Sequence, residues 1–148
     1  MAFRFILAPL LRLRQSLERQ RALALQQAAF NLTRAQDTLA HLDRFLAESK
    51  LADAASLAAG RTAAELQFAD LLREQLNQLR LQFEEEVRRL EGLREQTARA
   101  YQQAYREREA LETLRAHQLR TYHVEQLRRQ QRELDAAFLL QRWHRRSG

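Results

Sequence analysis

Apolar residues recur along the chain at alternating three- and four-residue spacing, the repeat of a helix that packs along another helix. The first run is Leu25, Ala28, Leu32, Ala35, Leu39, Leu42 and Leu46, without a polar interruption. Upstream, Leu10, Leu13 and Leu17 form a similar stripe offset by one residue. A straight α-helix drifts by about 20° per heptad, so a small offset is compatible with one continuous helix. A second run occupies positions 69, 72, 76, 79, 83, 86, 90, 93, 97, 100, 104, 107, 111 and 114, and its polar members are Glu86, Thr97 and Glu107. Beyond Leu114 the repeat decays. Leu119, Tyr122, Val124, Leu127, Leu134, Phe138 and Trp143 are apolar but irregularly spaced.

Between the two runs the chain is rich in alanine from Ala52 and reaches Gly60, a residue type suited to the left-handed position after a helix. Thr62-Ala-Ala-Glu65 follows, a capping box in which each side chain can bond the other residue's amide. The spacing predicts helix 1 over about 5–50, or to 59 if the alanine run stays helical. A turn over about 51–61 and helix 2 over about 62–143 follow. Pro9 suits a first-turn position, and Gly92 is a weak point inside helix 2. The expected fold is all-α: a single domain built as a long antiparallel two-helix coiled-coil hairpin, with helix 2 longer than helix 1. Helix 1 should cover helix 2 only to about residue 105–110, and the remainder overhangs, bends back or meets a partner.

Composition agrees with this architecture. The chain of 148 residues has 3 glycines, 1 proline and no cysteine. So few turn residues exclude a β-sandwich or barrel, which needs a turn about every 8–12 residues. Without cysteine there is no disulfide, no thiolate nucleophile and no cysteine-ligated metal. The apolar N-terminal stretch is short and interrupted by Arg4, and no window approaches a membrane span, so the expected location is cytoplasmic.

Charge is uneven. The net charge is +6, and Lys50 is the only lysine among the basic residues. The first 21 residues and residues 106–148 are strongly basic, whereas the middle is mildly acidic. Such a distribution bears on partners more than on fold.

Catalytic chemistry finds no support. The glycines Gly60, Gly92 and Gly148 form no phosphate loop. His117 and His123 are six residues apart and face different sides of a helix, which makes no metal-ligand pair. Glu84, Glu85 and Glu86 fan out around a helix instead of converging on one substrate. The chain reads as a non-enzyme with no cofactor and no metal. A DNA-reading zipper helix has a dense basic block directly before a clean zipper. Here the arginines Arg128, Arg129, Arg132, Arg142, Arg145 and Arg146 are broken by Glu125, Glu133 and Asp135. No nucleic-acid partner is expected. A basic nucleic-acid-binding coiled coil is the rival reading, tested by salt-dependent DNA retardation. Direct lipid binding is opposed by the spread of arginines around the helix. Phe45, Phe68 and Leu71 lie off the repeats, as seam flanks or exposed points for a partner.

Certain segments resemble a known family. These are Phe3-Arg-Phe5, Leu10-Leu-Arg-Leu-Arg14 with Glu18, and the spaced Ala28, Ala35, Leu39 and Leu42. More specific is the closing stretch: Arg108-Glu-Ala-Leu111-Glu-Thr-Leu114, Tyr122, then Gln131-Arg-Glu-Leu134-Asp135-Ala-Ala-Phe138 and Arg142. Together they are similar to the flagellar export protein FliJ family across nearly the whole chain. Ala136 departs from the pattern, since many members carry an acid there. The resemblance implies a non-catalytic antiparallel coiled-coil stalk of the type III export apparatus. Such a stalk serves flagellum assembly, and with it motility and chemotaxis. It implies three partners: the export ATPase ring, the cytoplasmic domain of the membrane export gate, and export chaperones. Membrane association would be indirect, through the gate, at the inner face of the cell membrane. The equivalent stalk of a virulence-type secretion system is the alternative, and the Phe-rich N-terminus favours the flagellar branch. On this reading the basic residues Arg12, Arg14, Arg19, Arg128, Arg129 and Arg132 are expected to meet the ATPase ring. Leu42, Phe45, Phe68, Leu72 and Leu76 are expected to meet the gate.

Overall fold

The computed structural model describes residues 2–148. It contains two helices, α1 (Ala8–Ala58, 51 residues) and α2 (Ala63–Ser147, 85 residues). Among the described residues there is no strand. The helices pair as an antiparallel hairpin: Asp53 meets Arg73 and Asp43 meets Arg80, so partners run in opposite chain directions.

Of the two ends considered for the first helix, the chain takes the later one. The alanines that follow Leu51 favour helix, so α1 continues to Ala58. It closes with two tightened bonds, Ala59 N–H to the Ser56 carbonyl (3.1 Å) and Gly60 N–H to the Leu57 carbonyl (3.3 Å). Gly60 has φ of 90°, the left-handed position that ends many helices. The Thr62 hydroxyl then accepts from the Glu65 amide at 3.4 Å and opens α2. The two glycines therefore predict opposite responses to alanine. Gly60→Ala forces a Cβ into left-handed dihedrals and should lower stability by about 1 kcal/mol. At Gly92 an added Cβ meets nothing within 4 Å, so Gly92→Ala should raise stability by about 0.5–1 kcal/mol. Thermal unfolding followed by circular dichroism should shift in opposite directions for the two variants.

The chain divides into two compact units. The loop unit, Arg19–Gln102, contains the helix connection. Its core is Leu32, Val87 and Leu90, with Ala35 and Leu39 packed against them. Arg80 pairs with Asp43 and, at 3.2 Å, with Glu84. The hydrogen bond to Asp43 and then the negative charge beside it hold the Arg80 guanidinium more firmly protonated than a free arginine.

The terminal unit combines the segment through Glu18 with Gln103–Gly148. Residues before α1 fold back on α2. Phe5 is buried, the Ala8 amide donates to the Phe5 carbonyl at 3.1 Å, and the Phe3 ring lies 5.6 Å from that of Tyr122. Leu11 and Ala104 supply further apolar burial. The other inward positions of this unit include polar residues. Arg108 donates to both Glu18 oxygens (2.5 and 3.2 Å) and to Glu112 (2.6 Å), and it lies 4.9 Å above the Tyr105 ring. Gln15 reaches Glu112 at 3.4 Å, and Arg14 pairs with Glu107. From Leu127 onward every residue of α2 is exposed.

Two features of the register differ from the apolar count. In α1 the stripe Leu10, Leu13, Leu17 does not form the seam: Leu10 and Leu13 are exposed, whereas Leu11 is buried. Continued backwards, the main repeat falls on 21, 18, 14 and 11: Leu11 is buried and Arg14 and Glu18 are half-buried, while Arg21 is exposed and its neighbour Ala22 is half-buried instead. In α2, positions 69, 76, 83, 90, 97, 104 and 111 turn inward as expected. At the alternate positions Leu72, Leu79, Leu93 and Leu114 are exposed; Arg73 and Arg80 turn inward in place of Leu72 and Leu79, while Glu86, Ala100 and Glu107 are half-buried as expected beside Val87, Tyr101 and Arg108. The arginines hold these places because their carbon stems pack and their heads meet acids on α1. Asp53 receives Arg73, Asp43 receives Arg80 and Glu18 receives Arg108.

Candidate partner-binding surfaces

In the loop unit a groove of about 470 Å³ lies beside the helix connection. Phe45 from α1 and Phe68, Leu72 and Leu76 from α2 line it. These are four of the five residues expected to meet the gate. Phe45, Phe68 and Leu72 are 54%, 70% and 47% exposed. Leu76 is half-buried and serves both groove and seam. Leu42 is half-buried in the seam and does not line the groove.

Helix geometry puts these residues together. Phe68, Leu72 and Leu76 follow each other at four-residue spacing on α2, so their side chains stack along one flank. Phe45 precedes the seam residue Leu46 and leans to the side of α1 that borders that flank. The polar wall is a small ion network. Asp53 accepts from Arg61 at 2.8 Å and also from Arg73, whose other terminal nitrogen reaches Asp70 at 3.4 Å. The Arg73 Nε is buried and has no hydrogen-bond partner. A groove with exposed aromatic and leucine side chains suits an apolar side chain.

This network was not legible from motif reasoning. Its signal is nonetheless present in the sequence: continuing the α1 repeat past Leu46 reaches Ser49 and Asp53, an acid at an inward position. An inward acid requires a facing base, and Arg73 is that base.

The six arginines expected to meet the ATPase ring are divided between the two units. Arg14 is committed to Glu107 across the helix pair. Arg19 belongs to the loop unit, and the other five belong to the terminal unit. Arg12, Arg128, Arg129 and Arg132 are exposed. In the terminal unit, the Glu18 carboxylate is the chief cause that holds Arg108 more firmly protonated than a free arginine. Partial desolvation opposes it and Glu112 adds to it.

Two of the three adjacent glutamates, Glu84 and Glu86, are spent on neighbouring arginines. Glu84 pairs with Arg80, and Glu86 takes two bonds from Arg89 at 2.6 and 2.9 Å. Those bonds hold the Glu86 carboxyl below the usual carboxylate range, against the smaller opposing effect of desolvation. The His41 ring lies 3.2 Å from the Arg44 guanidinium, and His117, His123 and His144 are exposed. Among the described residues no group of three or more His, Cys, Asp or Glu could hold a metal ion. No helix among them is long and apolar enough to cross a membrane.

No curated protein and no solved structure matches the chain. The family model of the flagellar FliJ protein matches residues 3–148, nearly the whole length. On that match, together with its all-helical hairpin, the chain belongs to the FliJ family of flagellar export proteins.

Proposed function

We propose that the protein is the non-enzymatic stalk of the flagellar type III export apparatus. It works in the cytoplasm, peripheral at the inner face of the cell membrane. Its groove receives the cytoplasmic domain of the export gate, its basic terminal unit engages the export ATPase ring, and export chaperones are further partners. The observation that carries this reading is the groove itself. Phe45, Phe68 and Leu72 are held exposed around one cavity on a chain of the FliJ family. Large apolar groups kept in water in this way are characteristic of an interface.

Co-purification of the full chain with the ATPase and with the gate cytoplasmic domain is the direct test. Both should be retained, and failure to retain either removes that partner from the reading. For the ring, the exposed arginines Arg128, Arg129 and Arg132 are the groups to change. Reversing all three to glutamate should weaken ATPase binding and leave helix content unchanged, since none of them is buried. Exposed pairs contribute only about 0–1 kcal/mol each, so the triple variant is the informative one. Binding of the parent should also weaken as salt rises, because exposed charges are screened over about 8 Å at physiological ionic strength. Reversal of Arg44 and Lys50 in the loop unit is the matched control. Loss of ATPase binding in that control, with normal binding by the triple variant, would assign the ring to the loop unit.

A further inference from the structure

A second cavity, of about 560 Å³, opens in the terminal unit. Phe3, Ile6 and Pro9 line it together with three arginines, Arg4, Arg12 and Arg115. No carboxylate lines it. None of the three arginines has a hydrogen-bond or ion-pair partner among the described residues. Arginines at the helix pairing behave differently. Arg14, Arg73, Arg80 and Arg108 each meet an acid on the opposite helix. Three cations around one cavity without a counter-charge repel one another, and an incoming anion relieves that repulsion while gaining attraction to all three.

The apolar half of the lining is held in place. Phe5 is buried beneath the segment, the Phe3 ring packs near Tyr122, and the Phe5 carbonyl accepts from the Ala8 amide. Anchored on both sides, Ile6 is 87% exposed. The segment thus presents an aliphatic side chain to water at a fixed place beside the arginines.

We infer that this cavity binds an acidic segment of a partner protein, one that carries a carboxylate beside a large apolar side chain. The carboxylate takes charge-assisted bonds from the arginine forks. The apolar side chain covers Ile6 and Pro9. A small inorganic anion would leave that apolar lining uncovered. A bilayer surface would need a broad projecting apolar face, whereas this site is a recess. Arg12 also belongs to the proposed ring contact, so at that residue the inference deepens the stalk reading. Arg4, Ile6 and Arg115 lie outside it.

Ile6 is the single isoleucine of the chain, so selective ¹³C-methyl labelling gives one resonance that reports on this cavity. The full chain is titrated with a short acetylated peptide of alternating glutamate and leucine. Two counterparts are compared, one with glutamine for glutamate and one with serine for leucine. The acidic apolar peptide should shift the Ile6 methyl signal saturably, and each counterpart should bind at least about tenfold more weakly. Arg4→Gln, Arg12→Gln and Arg115→Gln together should produce a similar loss at unchanged helix content, because all three are exposed. The inference is overturned by any of four results. They are no saturable shift, equal binding of the serine counterpart, binding retained by the triple variant, or a shift produced by phosphatidylglycerol vesicles and not by the peptide. A parent chain that binds the ATPase but not the peptide would sink this site alone. Peptide binding intact with no ATPase binding would sink the ring reading alone.

Discussion

Leu32→Asp should unfold the loop unit at temperatures where the parent chain is fully helical. Leu32 is 6% exposed and forms the core with Val87 and Leu90, against which Ala35 and Leu39 pack. Truncating a buried leucine to alanine costs about 2–5 kcal/mol, from lost transfer energy and the void left behind. Aspartate adds the penalty of a carboxylate without a partner, so its cost exceeds that of Leu32→Ala. Against a typical total stability of about 5–15 kcal/mol, that is a large share. The core of this unit is narrow, and no neighbouring layer can close over the gap. Thermal denaturation should rank the parent above Leu32→Ala and Leu32→Asp last. Leu81→Asp, at a side chain 56% exposed, should change little. An unchanged midpoint for Leu32→Asp would mean that the helices pair in another register.

The second large effect is on gate binding. Phe45 and Phe68 stand on opposite helices at the same groove and are more than half exposed, so both are available to a partner without any rearrangement. Buried aromatic anchors dominate interfaces, each costing at least about 2 kcal/mol when truncated. Phe45→Ala with Phe68→Ala should therefore weaken binding of the gate cytoplasmic domain by about a hundredfold or more. Because neither ring belongs to the Leu32 core, the thermal midpoint should hold. Leu42→Ala provides the contrast. Leu42 is half-buried in the seam and off the groove, so its loss should lower stability more than it lowers affinity. Isothermal titration alongside thermal unfolding separates the two kinds of effect. Affinity preserved in the double phenylalanine variant would remove the groove from the gate contact.

The polar positions of the terminal unit carry a related lesson. Glu18, Arg108 and Glu112 occupy inward places that an apolar count leaves unexplained. A polar residue inside a helix pair fixes register and orientation, because any slip leaves it without its partner. Glu18→Gln keeps the shape but removes the charge that Arg108 faces. It tests whether this unit is held in register by charge.

The existence of two helices, their antiparallel pairing and the break near Gly60 could all be read from the sequence. These features depend on local physics: the 3–4 spacing of apolar residues, the helix preference of alanine, the left-handed dihedrals that Gly60 adopts, and the Thr62 cap. Phe45 and Phe68 were legible as off-seam aromatics for the same reason. The register was not legible in full. Counting apolar letters places Leu72 and Leu79 in the seam, yet Arg73 and Arg80 face inward instead. That choice depends on Asp53 and Asp43, about 20 and 37 residues away in the chain, and no periodicity within α2 contains them. The same holds for the two cavities. The groove needs Phe45 brought to Phe68, and the terminal recess needs Arg4 and Arg12 brought to Arg115. Spacing along one helix determines which residues share a face, whereas the residues opposite that face are set by the side chains of the other helix. Only the paired structure, in which each charge finds or lacks its partner, decides which leucines are core, which arginines are spent and which are left for a partner.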